Sequence, residues 1–210
     1  MKRLLLACGL MFFGMTLLAS AQEKPRAERP TLTIGDSWTY AYEDKLDASR
    51  KVSYTTTVTA IENDVISFTR GNKTVTLATL DLNETKGANG RSESLHTFSY
   101  VWPLEVGKEW PRQITWTNAS GDHGRSTGKR KVLSYEKVTV PAGTFDAFLI
   151  EYNGYYNNDT SGARVVGGPE TIRNWYAPAV KNFVKYQRTY RANNRTWEDS
   201  TTELQAYTVK

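Results

Sequence analysis

Cysteine is all but missing from this chain. The single copy, Cys8, falls in the first 21 of 210 residues. Once that segment is removed, disulfides, thiolate metal sites and a cysteine nucleophile are excluded together. Histidine is nearly as scarce: His96 and His123 are the only two, 27 positions apart and outside any ligand-spaced motif, so no metal and no cofactor is expected. No Gly-x-Ser-x-Gly elbow is present to expose a serine nucleophile. After residue 21 no apolar run approaches the ~18 residues that span a bilayer as a helix, so no integral membrane protein is expected. A three-turn amphipathic helix pattern is absent as well. Charge is only mildly positive, at +5 formally, and Arg125, Lys129, Arg130 and Lys131 form its one cluster. That is too little for a nucleic-acid stripe, and no nucleic-acid partner is expected.

The first 21 residues read as an export signal. Lys2 and Arg3 give a basic start, Leu4 to Leu18 an apolar stretch, and Ala19-Ser20-Ala21 a small-x-small cleavage site after Ala21. Leu5-Leu6-Ala7-Cys8 looks like a lipoprotein box. Only seven residues precede Cys8, however, and the apolar run continues through Met11, Phe12 and Phe13, so lipidation is not expected. The reading is a periplasmic or secreted protein with a flexible leader over 22–31 and one domain over 32–210.

From Leu32 onward the texture is β. Val52, Tyr54, Thr56, Val58 and Ala60 alternate with Ser53, Thr55, Thr57 and Thr59, the period-two signature of a half-buried strand. Strands of fairly even spacing with turn signals between them predict an all-β fold, a single antiparallel curved sheet forming a barrel or half-barrel. Residues 83–94 read as a mobile loop, Ser92 to Tyr100 as either a short helix or a strand, and the final run, Thr196 to Val209, as only partly buried.

Two sequence features organise the chain. In Val138-Thr139-Val140-Pro141-Ala142-Gly143-Thr144-Phe145, Pro141 presets φ and Gly143 can take the positive φ of a reversal between two strands. Beyond it Phe145, Ala147 and Leu149 fall on one strand face and Phe148, Ile150 and Tyr152 on the other. The second feature is an internal echo. Leu32-Thr33-Ile34-Gly35-Asp36-Ser37-Trp38 and Leu104-Glu105-Val106-Gly107-Lys108-Glu109-Trp110 share Leu-x-aliphatic-Gly-x-x-Trp, suggesting two equivalent barrel edges.

The Val138–Phe145 motif, followed by Trp175-Tyr176-Ala177-Pro178 and preceded by Gly-Asp-x-Trp-x-Tyr at Gly35 to Tyr40, resembles a family of exported bacterial β proteins of unknown function. That family is similar in fold to the LolA/LolB-type half-barrels that carry lipoproteins. Ala179 and Lys181 stand where other members often have glycine. The resemblance implies a curved sheet around an apolar concavity and carries no catalytic residues with it.

The site candidates are therefore aromatic. Six tryptophans remain in the mature chain, and an aromatic offers apolar area with a polar edge. Trp38, Trp110, Trp116, Phe148, Tyr152 and Trp175 are the expected lining of a ligand cavity. The function expected is non-enzymatic binding of a lipid or other hydrophobic or amphipathic ligand. One alternative is an envelope adaptor holding a protein partner through sheet edges and exposed tyrosines. Another is a hydrolase of envelope glycans or esters using His96, His123, Glu136, Glu151 or Glu170.

Overall fold

The computed structural model describes residues 24–71, 74–87, 91–95, 99–159 and 166–210. The export signal, its cleavage site and His96 lie outside these. Fourteen strands follow one another: β1 (Arg26–Ala27), β2 (Ser37–Asp44), β3 (Asp47–Glu62), β4 (Val65–Arg70), β5 (Thr74–Thr79), β6 (Glu84–Lys86), β7 (Ser92–Leu95), β8 (Leu104–Glu105), β9 (Glu109–Thr117), β10 (His123–Val140), β11 (Gly143–Asp159), β12 (Val166–Ala177), β13 (Asn182–Ala192) and β14 (Arg195–Thr208). A 3-10 turn at Pro178–Val180 separates β12 from β13.

Twelve strands close an antiparallel barrel in the order β10-β11-β12-β13-β14-β2-β3-β4-β5-β6-β7-β9. Neighbours in sequence are neighbours in space except at two seams, where β7 pairs with β9 and β14 with β2. Closure at those seams pairs the strands around the barrel and leaves an edge only where one strand outruns its neighbour.

The internal echo marks equivalent places in the two runs, β2–β7 and β9–β14. Gly35 and Gly107 have φ of +96° and +92°, a region open mainly to glycine. The Gly35 N–H donates to the Val58 carbonyl, and the Val58 N–H donates back to Asp36, both at 2.9 Å. The Gly107 N–H donates to Val132, and the Val132 N–H donates back to Lys108, again at 2.9 Å. Each turn thus docks on a buried valine of the second strand after it. Leu32, Leu104, Trp38 and Trp110 are all buried, so the shared leucine, glycine and tryptophan are the ones the turn and core require, while the shared aliphatic, Ile34 and Val106, is exposed.

The Pro141-Ala142 reversal forms as its residues predict, with Val140 opposite Gly143 and Gly143 at φ +136°. The two faces of β11 enter different apolar clusters. Phe145 and Ala147, with Leu149 against them, join Trp38, Tyr40, Val58, Phe68, Trp175, Val180 and Leu204. Phe148 and Ile150 join Ala27, Tyr100, Leu104, Trp110, Val132 and Tyr176. Beyond Lys131, β10 has no pairing with β9, and this free end of the β10–β11 hairpin folds back so that Ala142 N–H reaches the Leu204 carbonyl at 3.1 Å.

Several local expectations are corrected. Residues 83–94 contain β6 and β7, because Glu84 and Lys86 pair with β5, and Ser92 to Leu95 pair with β9. Of the two forms left open for Ser92 to Tyr100, Ser92–Leu95 takes the strand, and residues 96–98 lie outside the described residues. The final run is partly buried, as expected: in β14 Ser200, Thr202 and Leu204 are buried, since they face the barrel interior, and the rest are not. Within the segment expected as leader, Arg26 and Ala27 pair with Glu105 and Leu104, and Ala27 is buried there. The basic cluster is divided by the pleat: Arg130 is buried while Lys129 and Lys131 are exposed.

Candidate functional site

The inner wall of β9–β13 is assembled from residues that face each other in register. Arg130 lies opposite both Trp110 and Tyr152; Ser126 lies opposite Ile114 and Tyr156; Ile172 lies between Tyr152 and Arg188. Every second residue of β9, Trp110, Arg112, Ile114 and Trp116, is buried. Glycines let the rings lie flat on this wall. A Cβ on Gly128 would stand 2.8 Å from the Tyr152 ring and closer still to the β11 backbone, and one on Gly124 would stand 2.6 Å from the Trp116 ring.

Within the barrel this wall bounds a cavity of about 190 Å³, lined by Glu84, Arg112, Ile114, Tyr156, Glu170, Ile172, Tyr186 and Arg188 among others. It lies toward the end where β10 begins and β11 finishes; the Trp38–Val180 cluster fills the other end. There the Trp38 indole donates to the Val180 carbonyl at 2.7 Å and the Tyr40 hydroxyl to the Phe183 carbonyl at 2.9 Å. Apolar filling is thus confined to one end. The apolar concavity that the resemblance implies gives way, toward the other end, to buried charge.

That charge is arranged. Glu170, 4% exposed, accepts from Arg188 Nε at 2.7 Å and from Ser126 Oγ at 2.9 Å. Arg188 reaches Glu198 through Nη1 at 2.7 Å. Burial lowers the Arg188 pKa, but Glu170, Tyr186 and Glu198 outweigh it and hold the group above its ordinary value. Ser126 and Tyr152 share a hydroxyl hydrogen bond of 2.7 Å. The Tyr152 ring carries the guanidinium of Arg112 at 5.0 Å and that of Arg130 at 5.9 Å. Trp116 stacks on Tyr156 at 5.9 Å, Arg91 sits over Trp116 at 4.7 Å, and Arg188 over Tyr156 at 5.5 Å. Burial raises the Tyr186 pKa to about 12, which keeps that hydroxyl a donor.

At the rim, burial among protein atoms pushes the Glu84 carboxyl up to about 7, and the nearby Glu93 adds to this. Glu84 nonetheless exposes a large part of its surface, as a side chain in a wide mouth does, so water softens the effect. Trp116 Nε1 and the Tyr190 hydroxyl are buried without a hydrogen-bond partner. Among the described residues no group of three or more His, Asp or Glu could hold a metal ion.

Of the aromatic candidates, Trp110, Trp116, Phe148 and Tyr152 share this inner wall, but none of the six is among the residues that line the cavity itself. Trp38 is fully buried in the apolar end. Trp175 takes the opposite face of β12 from Asn174 and Tyr176; its indole donates to Glu136 Oε1 at 2.9 Å and Lys185 lies 5.8 Å from its ring. The carboxylates weighed for hydrolysis do not converge. Glu170 faces inward, Glu151 faces outward with Arg173 at 2.8 Å, and Glu136 holds Trp175 and Ser134. His123 is an exposed residue at the start of β10. Arg112, Arg130, Arg188 and Tyr186 are the site residues that the sequence reading missed. The available signal was a charge in phase with apolar residues, as Arg112 is with Trp110, Ile114 and Trp116.

No protein-family profile and no curated protein matches this chain. Solved structures do. One, from Bacteroides fragilis and described as a candidate exported protein with a YmcC-like fold, aligns with a TM-score of 0.54 at 14% identity, over 87% of this chain and 99% of that one. Another, described as a candidate lipoprotein from Parabacteroides distasonis, aligns with a TM-score of 0.52 at 15% identity, over 89% and 100%. At such identities what is shared is the fold, a YmcC-like barrel.

Proposed function

We propose that this is an exported, non-enzymatic binding protein that takes one end of a small amphipathic ligand into the charged end of its barrel. The observation that carries this reading is the interior cavity, lined by Arg112, Glu170, Arg188 and the rings of Tyr156 and Tyr186, with the buried, partnerless donors Trp116 Nε1 and Tyr190 Oη on rings packed against Tyr156. Aromatic bodies beside a few placed polar groups are what a small-molecule site needs. A volume of about 190 Å³ is below the ~300 Å³ at which pockets for whole drug-sized ligands begin, so the remainder of the ligand stays at the rim.

Export is supported by the basic-apolar-small N-terminal pattern and by the descriptions of the two structural neighbours. Among the described residues no helix is long and apolar enough to cross a membrane. The barrel exterior carries cross-strand ion pairs, Lys129–Glu109, Arg173–Glu151 and Lys185–Glu203, where a barrel in a bilayer would present an apolar band.

Native mass spectrometry after mild purification, joined to thermal melting across a panel of amphiphiles, tests the reading. A co-purifying small molecule or a reproducible rise in melting temperature is expected. A clean apo mass with no rise for any amphiphile would remove it.

A further inference from the structure

Four arginines reach the inner wall, and two of them have an anion. Arg91 pairs with Glu93 at 2.8 Å, and Arg188 pairs with Glu170 and Glu198 at 2.7 Å each. Arg112 and Arg130 have no carboxylate within ion-pair distance among the described residues. Arg112 is 7% exposed and makes only long contacts to hydroxyls, Nε to Ser99 at 3.4 Å and Nη1 to Ser126 at 3.3 Å. Arg130 is 4% exposed, and its Nε and Nη1 have no partner at all.

The two lie on adjacent inward positions, since Arg112 pairs with Gly128 and Arg130 is two residues further along β10. Both lie over the Tyr152 ring. Burial, reinforced by the Arg112 charge, pulls the Arg130 pKa down to about 10, so at neutral pH Arg130 remains cationic. Two like charges held side by side away from water is an unfavourable arrangement that a pair of methionines would avoid. Two carboxylates of the cavity are engaged elsewhere, Glu170 with Arg188 and Glu93 with Arg91, and Glu84 stands at the exposed rim.

We infer that Arg112, which lines the cavity, and Arg130, one inward position deeper on β10, flank Tyr152 to form an oxyanion site beneath the cavity, and that the ligand bears a carboxylate or phosphate there. A guanidinium fork matches either group bidentately. Tyr186 supplies a protonated hydroxyl close by, and Tyr100, which accepts from Asn174 Nδ2 at 2.5 Å, keeps its own proton to donate. This assignment rests on the binding role proposed above and names the chemistry of its ligand.

The test uses the mature full-length chain with sodium hexanoate, inorganic phosphate and neutral hexanol as probes, read by calorimetry and thermal melting. Hexanoate or phosphate is expected to bind and raise the melting temperature, while hexanol does neither; which anion binds distinguishes the two sources. Arg112→Met and Arg130→Met are each expected to weaken the anion roughly ten-fold or more, as loss of a charged bidentate contact does. Arg130→Met should melt no lower than the parent without ligand, because it removes an unpaired buried charge. If it folds poorly, Arg130→Lys, which keeps the charge but loses the fork, replaces it and should still weaken binding. Equal affinity of parent and variants, or hexanol binding as tightly as hexanoate, overturns the oxyanion assignment while the binding role stands. Failure of every amphiphile, charged or neutral, removes both.

Discussion

Arg188 Nε donates to Glu170 Oε1 at 2.7 Å inside the barrel, from a strand adjacent to the one that carries the carboxylate. Replacing Glu170 by alanine leaves Arg188 only Glu198 as a carboxylate partner and leaves the Ser126 hydroxyl only Tyr152 as an acceptor. Removing one member of a buried pair costs about 3–5 kcal/mol. About a quarter of the Arg188 side chain reaches solvent, so the lower end is expected, about 3 kcal/mol by chemical denaturation. A loss below about 1 kcal/mol would place this pair with ordinary surface ion pairs.

Glu84 gives the barrel a pH dependence. Its folded-state pKa of about 7 lies above the ordinary carboxylate value of 4.5, so between these values the folded protein binds more protons than the unfolded chain. Stability contributed by this group therefore falls as pH rises from 4.5 to about 7, and the penalty is complete above that. Glu84→Gln should melt higher than the parent at pH 8 and match it at pH 4. Equal melting temperatures at both pH values would show that solvent in the mouth screens the carboxylate fully.

Trp38→Phe keeps most of the apolar volume of the closed end and deletes the donor to the Val180 carbonyl. With the indole fully buried, that carbonyl is left without this partner, at a cost of about 1–3 kcal/mol. The measurement is the denaturation midpoint, and a change within error would mean that the carbonyl finds another donor.

Gly128→Ala tests the flat placement of Tyr152. The new Cβ would meet the Asn153 carbonyl oxygen at 2.3 Å and the Gly154 Cα at 2.5 Å, both backbone atoms that cannot rotate away. Overpacking of this kind costs about 1–3 kcal/mol or more. Restoration of stability by Tyr152→Leu in the same chain would show that the ring is the obstacle; no restoration assigns the cost to the strand backbone.

The legible parts of this fold are those governed by neighbouring residues. Val52 to Ala60 announced a strand through period two, Pro141 to Gly143 announced a reversal, and the repeated Leu-x-aliphatic-Gly-x-x-Trp found two docked turns. Site residues were less legible. Trp110, Trp116, Phe148 and Tyr152 were chosen as aromatics and share the inner wall, whereas Trp175, chosen on the same ground, faces Glu136 on the other side of its strand. Arg130 stands in the sequence as one of a basic cluster, and Arg112 draws no notice there, because a cation on a strand is usually solvated.

The sequence by itself determined that this chain is antiparallel β, where its strands reverse, and which residues share a face, since these follow from backbone sterics and the two-residue repeat. Tertiary structure alone decided which of the two faces is enclosed. That choice is made at the seams, where β7 meets β9 and β14 meets β2, and no local pattern encodes a pairing between the ends of the chain. Only after closure does Arg130 lose its water, and only then does its charge call for an anion.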